Sequence, residues 1–162
     1  MRSKILLVVC ALMLVTGCKT RPLDAAGQLS GGMSGVPGTA NVVPGTQSDL
    51  EANVGDRVFF AYDSSALNAE SQATLMRQAT WLKTYPSVAL VVEGHCDERG
   101  TREYNLGLGN RRANSARNFL VNAGVDPARL SVISYGKERP AVLGSGEEVY
   151  AQNRRSVSVV GN

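Results

Sequence analysis

Between Lys19 and Val54 the chain carries glycine at positions 27, 31, 32, 35, 38 and 45 and proline at 22, 37 and 44. It holds no aromatic residue there and no hydrophobic period. Such a stretch cannot bury enough apolar surface to offset the entropy lost on ordering it. Residues 18–54 therefore read as a flexible tether, spanning about 30–35 Å as a coil and about 120 Å pulled taut. This confines the folding part of the 162-residue chain to residues 55–162. With 43% apolar but only 6% aromatic residues, the core has to be mainly aliphatic.

From Gly55 onward the pattern becomes regular. Residues 57–62 form a β-rich run closed by Asp63-Ser64-Ser65. Asn68 suits the N-cap of a helix from Ala69 to about Tyr85, which Pro86 ends. Leu75, Ala79 and Leu82 share one face of it. Residues 88–93 are apolar on both faces apart from Glu93, the signature of a covered central strand. Thr101 suits the cap of a second helix reaching about Ala123, with Gly124 as its stop. Asp126 to Arg129 suggests a short turn, and residues 130–135 a third strand. Residues 147–155 read as a short helix with acids in its first turn and bases in its last, and residues 156–160 as a fourth strand. The expected fold is α+β: a βαβαβαβ two-layer sandwich, one four-stranded mixed sheet with helices packed on it. Strand order is not derivable from these patterns.

The N-terminus has a different character. Met1-Arg2-Ser3-Lys4 is basic, and Ile5 to Val15 is an unbroken apolar run. That run is too short to span a bilayer, which takes about 20 helical residues, and it suits an export signal over residues 1–17. Val15-Thr16-Gly17-Cys18 resembles the bacterial lipobox, which implies acylation of Cys18 and anchorage in a membrane. Each buried CH₂ of an acyl chain contributes roughly 0.8 kcal/mol. Lys19 stands where inner-membrane retention signals carry Asp, so the resemblance favours the outer membrane, with the domain in the periplasm. The net charge of +3 owes much to this segment. Without Arg2 and Lys4, 15 basic residues face 14 acidic ones, and nothing in the charge argues for nucleic acid.

The chemistry concentrates in Gly94-His95-Cys96-Asp97-Glu98-Arg99-Gly100-Thr101, which joins a buried strand to a helix start, where ligand sites often lie. Adjacent strand residues point to opposite faces, so His95 and Cys96 do not make a catalytic pair. Cys96 reads as a small buried residue. One His and scattered Cys give no metal site, and no cofactor is implied. On the second helix, Leu106, Gly109, Ala113, Ala116 and Leu120 form the buried stripe at 100° per residue. Asn105 and Arg112 lie at its edge and Arg111 faces solvent. A guanidinium at that rim suits a carboxylate bound bidentately, and Asp97 suits an ammonium. Together they suit a zwitterionic amino-acid head group. The alternative is that the two pair with each other or with backbone.

Residues 58–160 resemble the OmpA-like peptidoglycan-binding domain. The likeness rests on the 94–101 segment, on Glu103-Tyr104-Asn105, on Leu108-Gly109-Asn110-Arg111-Arg112-Ala113-Asn114, on Ser134-Tyr135-Gly136-Lys137-Glu138-Arg139-Pro140, and on Asn153-Arg154-Arg155. The resemblance implies non-covalent binding of the peptidoglycan stem peptide through its diaminopimelate residue. Asp97 would face the amino group, Arg112 the carboxylate, and Asn105 would frame them. Phe60, Tyr62 and Asp63 would lie beside the pocket, with His95 and Thr101 as further wall residues. Arg154 and Arg155 match a terminal motif, or complement a helix dipole. Two positions depart from the family: Cys96 replaces the common Ala or Thr, and Ala61 replaces a common Asp.

The resemblance further implies Tol proteins, TolB and TolA, as partners during envelope constriction. An enzyme would need a nucleophile–base pair, a metal, or two carboxylates facing across a cleft. Asp97 and Glu98 are merely adjacent in a loop. The expectation is a binding protein that tethers outer membrane to cell wall, rather than a catalyst.

Overall fold

The computed structural model describes residues 42–161. The expected signal segment, Cys18 and most of the tether lie outside the described residues. The elements run α1 (Gln47–Asp49), continuing as a π-helical turn (Leu50–Val54), β1 (Arg57–Phe59), α2 (Ala69–Thr84), β2 (Leu90–His95), α3 (Arg102–Asn122), β3 (Leu130–Gly136), α4 (Glu147–Asn153) and β4 (Arg155–Val160). The four strands form one mixed sheet in the order β1-β4-β2-β3. β4 is antiparallel to both of its neighbours, and β2 is parallel to β3.

The two long helices start where the cap chemistry places them. The Asn68 side chain accepts from the Ser71 amide at 2.8 Å, and the Thr101 hydroxyl accepts from the Tyr104 amide at 3.2 Å. Each satisfies an amide that the first helical turn leaves without a partner. At the other end of α3, Gly124 takes the positive φ that closes a helix. Leu75, Ala79 and Leu82 of α2 and Ala113, Ala116 and Leu120 of α3 share one aliphatic core with Val58, Leu90, Val92 and Leu130 from the sheet.

Several boundaries differ from the sequence reading. The folded part starts before Gly55: Leu50 is fully buried in the core, and Asp49 accepts from the Trp81 indole at 2.8 Å. A single well-placed leucine anchors this turn, so no period announces it. β1 ends at Phe59, because the chain turns away at Tyr62 and Asp63, where Asp63 adopts φ +50°. The helix expected over residues 147–155 stops at Asn153, and Arg155 opens β4. On β2, Leu90 and Val92 are buried against the helices while Val91 and Glu93 are half-buried, so one face of this strand is covered rather than two. On α3, Leu108 is buried where the wheel placed Leu106, which is half-buried.

Candidate functional site

β2 and α3 pack so closely that neither side can carry a side chain at the crossing. Gly94 lies against Gly109, and a Cβ on Gly94 would collide with the Gly109 carbonyl. Beyond this contact the 96–101 loop leaves the sheet and turns into α3. A pocket of about 170 Å³ opens there, lined among others by Tyr62, Asp63, Asp97, Arg99, Asn105 and Arg112.

Arg112 is completely buried. Its Nε donates to the Ser64 carbonyl at 2.8 Å, Nη1 to the His95 carbonyl at 2.9 Å and Nη2 to the Ala61 carbonyl at 3.1 Å. A guanidinium has five N–H donors, so two are left without a backbone acceptor. Phe60 lies beneath the cation, 5.3 Å from ring centroid to guanidinium carbon. Among the described residues no carboxylate forms an ion pair with Arg112. Burial presses its pKa below the ordinary value, an effect that the nearby Cys96 and Asp97 oppose. Periodicity separated the two adjacent arginines correctly, since Arg111 is exposed.

Asp97 is also buried but is not free. Arg99 donates to it three times, from its amide (3.1 Å), Nε (3.2 Å) and Nη2 (2.6 Å). Arg154 Nη1 stands 3.5 Å away. Burial alone would push the Asp97 carboxyl up; the Arg99 hydrogen bonds and charge outweigh it and hold the pKa below the usual carboxylate value. Asn105 donates to the Arg99 and Thr101 carbonyls at 2.8 and 2.9 Å, and so ties the loop to the helix.

The structure thus brings Asp97, Arg112, Asn105, Tyr62 and Asp63 to one pocket, keeps Phe60 beside it against Arg112, and places the two expected wall residues His95 and Thr101 elsewhere. Phe60 is buried behind Arg112. Thr101 is exposed and serves as the helix cap. His95 is buried on the strand, stacked on Tyr135 with ring centroids 5.5 Å apart, with Nε2 3.3 Å from Glu93. Burial lowers its pKa to about 4. Cys96 is buried as expected, and its thiol, pushed up in pKa by burial, donates to the Asn105 carbonyl. At Ala61 the backbone carbonyl reaches Arg112, a role open to any residue.

Two polar side chains of the pocket, Tyr104 and Arg99, escaped the sequence reading. Tyr104 bonds through its hydroxyl to Asp63 across the pocket mouth. Arg99 lies against the rings of Tyr62 and Tyr150, 4.2 and 4.4 Å from their centroids. An opposite charge two residues from Asp97 in a loop was the available signal. Of the two arginines weighed against the helix dipole, Arg155 meets the C-terminal carbonyl end of α4, whereas Arg154 turns away from it. Arg154 reaches back to the Phe60 carbonyl at 3.0 Å and to Glu147 at 2.7 Å, and Arg155 bonds the Asn153 and Arg139 carbonyls.

This sheet, and a pocket at the β2–α3 junction that holds the Asp97 carboxylate and the buried Arg112 guanidinium, define an OmpA-like domain, and the OmpA family model matches residues 59–154. The chain is 47% identical to a peptidoglycan-associated lipoprotein of Mesorhizobium japonicum, over 98% of its own length and 92% of that protein's. Among solved structures it resembles the peptidoglycan-associated lipoprotein of Burkholderia pseudomallei, with 42% identity, TM-score 0.64, and coverage of 65% of this chain and 90% of that one. It also resembles the C-terminal domain of Helicobacter pylori MotB, with 26% identity, TM-score 0.62, and coverage of 66% and 84%. The chain belongs to the OmpA family, among the peptidoglycan-associated lipoproteins. These are non-catalytic proteins of the cell envelope.

Proposed function

We propose that the pocket binds the diaminopimelate of the peptidoglycan stem peptide, and that acyl chains on Cys18 hold the other end of the chain in the outer membrane. The observation that carries this reading is the state of Arg112. A fully buried cation whose direct partners are all neutral carbonyls retains a strong demand for an anion. Its two remaining N–H donors suit a carboxylate. Asp97 on the same pocket supplies the opposite sign for an ammonium. Diaminopimelate bears both groups on one carbon, so the ligand is selected by charge and spacing with no bond made or broken. Binding at one end and lipid insertion at the other couple two layers mechanically. On this reading TolB and TolA, which only the family resemblance suggests, would be its partners in envelope integrity and in constriction at division.

Co-sedimentation with purified sacculi tests the reading. The full chain in detergent is expected to pellet with diaminopimelate-type wall and to remain in solution with lysine-type wall, releasing no muropeptides from either. Asp97→Asn and Arg112→Ala should each lower the bound fraction at least tenfold. Equal binding to both wall types would overturn the proposal.

A further inference from the structure

Asp97 already carries a cation on both of its oxygens, so a ligand ammonium that takes this place competes with it. Arg99 occupies both Asp97 carboxylate oxygens from one side, with Nε and Nη2 at 3.2 and 2.6 Å. Its other terminal nitrogen, Nη1, points to a second carboxylate, Glu147 Oε2, at 3.6 Å. The guanidinium therefore forks between two acids. Tyr62 and Tyr150 present their rings to it at nearly equal distances, so movement from one acid toward the other keeps a cation–π partner throughout.

The three groups differ sharply in exposure. The Asp97 side chain is 6% exposed, Arg99 34% and Glu147 66%. The deep carboxylate needs a cation at all times, whereas the outer one sits in water that screens it. Arg154 bonds Glu147 at 2.7 Å and approaches Asp97 at 3.5 Å. It is anchored on the Phe60 carbonyl, so it holds the two acids in place while Arg99 moves between them.

We propose that Arg99 is an internal stand-in for the ligand's ammonium: it neutralises Asp97, and it passes to Glu147 when a cationic head group takes its place. This rests on the diaminopimelate reading above and adds a residue that sets affinity and selectivity. The exchange is cation for cation, so the buried carboxylate never stands uncompensated. A ligand that offers only a carboxylate to Arg112 cannot drive it. The zwitterion is required because half of its recognition is a displacement.

Isothermal titration of the full chain with a muropeptide ending in meso-diaminopimelate tests this. Arg99→Gln removes the competitor and should bind roughly five- to tenfold tighter. Arg99→Lys keeps a cation but loses the two-nitrogen grip on Asp97 and the reach to Glu147, and should bind with an affinity between wild type and Arg99→Gln. Glu147→Gln removes the second acceptor and should bind about two- to threefold more weakly, an effect that vanishes in the Arg99→Gln background. Binding by Arg99→Gln that is weaker than or equal to wild type, while Asp97→Asn abolishes binding, would overturn the stand-in role alone. Absence of binding by the wild-type chain would overturn the diaminopimelate reading and this inference with it.

Discussion

Gly94 on β2 and Gly109 on α3 meet backbone to backbone, and each stands three residues ahead of one member of the charged pair, Asp97 and Arg112. The contact thereby sets how far apart the carboxylate and the guanidinium emerge. A methyl group on Gly94 would strike the Gly109 carbonyl, and one on Gly109 would strike the Ser134 hydroxyl. Neither backbone can retreat without opening the core beneath it. Gly94→Ala is expected to cost about 3 kcal/mol of stability, at the upper end of ordinary overpacking. Urea unfolding measures this, and a midpoint unchanged from wild type would show that the helix and strand are not locked here.

How much of this arrangement could be read from the chain alone follows the range of the interactions. Caps at Asn68 and Thr101 are local chemistry, and both were legible. Arg112 against Arg111 was legible because helical period alone separates the two. Leu50 was not, since one buried leucine after a glycine- and proline-rich segment makes no pattern. Arg99 was not, since its meaning depends on Glu147 and Tyr150, about fifty residues further along the chain. The strand order β1-β4-β2-β3 arises from pairings that no local signal encodes.

The N-terminal turn makes a direct prediction about where the folded domain starts. Leu50 is fully buried beside α2, and Asp49 takes the Trp81 indole hydrogen while Asn53 and the Gly45 amide also donate to it. Leu50→Ala should lower stability by about 2–5 kcal/mol. A chain starting at Gly55 should be destabilised by at least as much relative to one starting at residue 42. Equal unfolding midpoints for the two truncated chains would return residues 46–54 to the tether.

Acid should weaken the fold through His95. Its folded-state pKa is about 4 against an ordinary value of 6.5, first because burial disfavours the imidazolium and second because Arg155 repels it. Between those two values the unfolded chain binds a proton that the folded chain refuses, so stability falls as pH drops from about 6.5 and the loss is complete near pH 4. The size is on the order of 3 kcal/mol. Glu93 acts in the opposite sense: burial raises its pKa, so its protonation favours the folded state at low pH. His95→Gln should therefore show a flatter stability profile between pH 7 and 4.5. A slope equal to that of wild type would remove His95 from the acid response.

Arg112→Lys separates charge from geometry at the pocket. Lysine keeps one positive charge, but its ammonium has three donors on a flexible stem in place of a planar fork. It cannot satisfy the Ser64, His95 and Ala61 carbonyls and still offer two parallel hydrogens to a carboxylate. Stability should fall by about 1–3 kcal/mol as buried carbonyls lose partners, and diaminopimelate muropeptide binding should weaken more than tenfold. Arg111→Lys, on the exposed face of the same helix, should leave both quantities within error. Muropeptide affinity retained by Arg112→Lys would mean that a point charge suffices, and the bidentate reading of this guanidinium would be wrong.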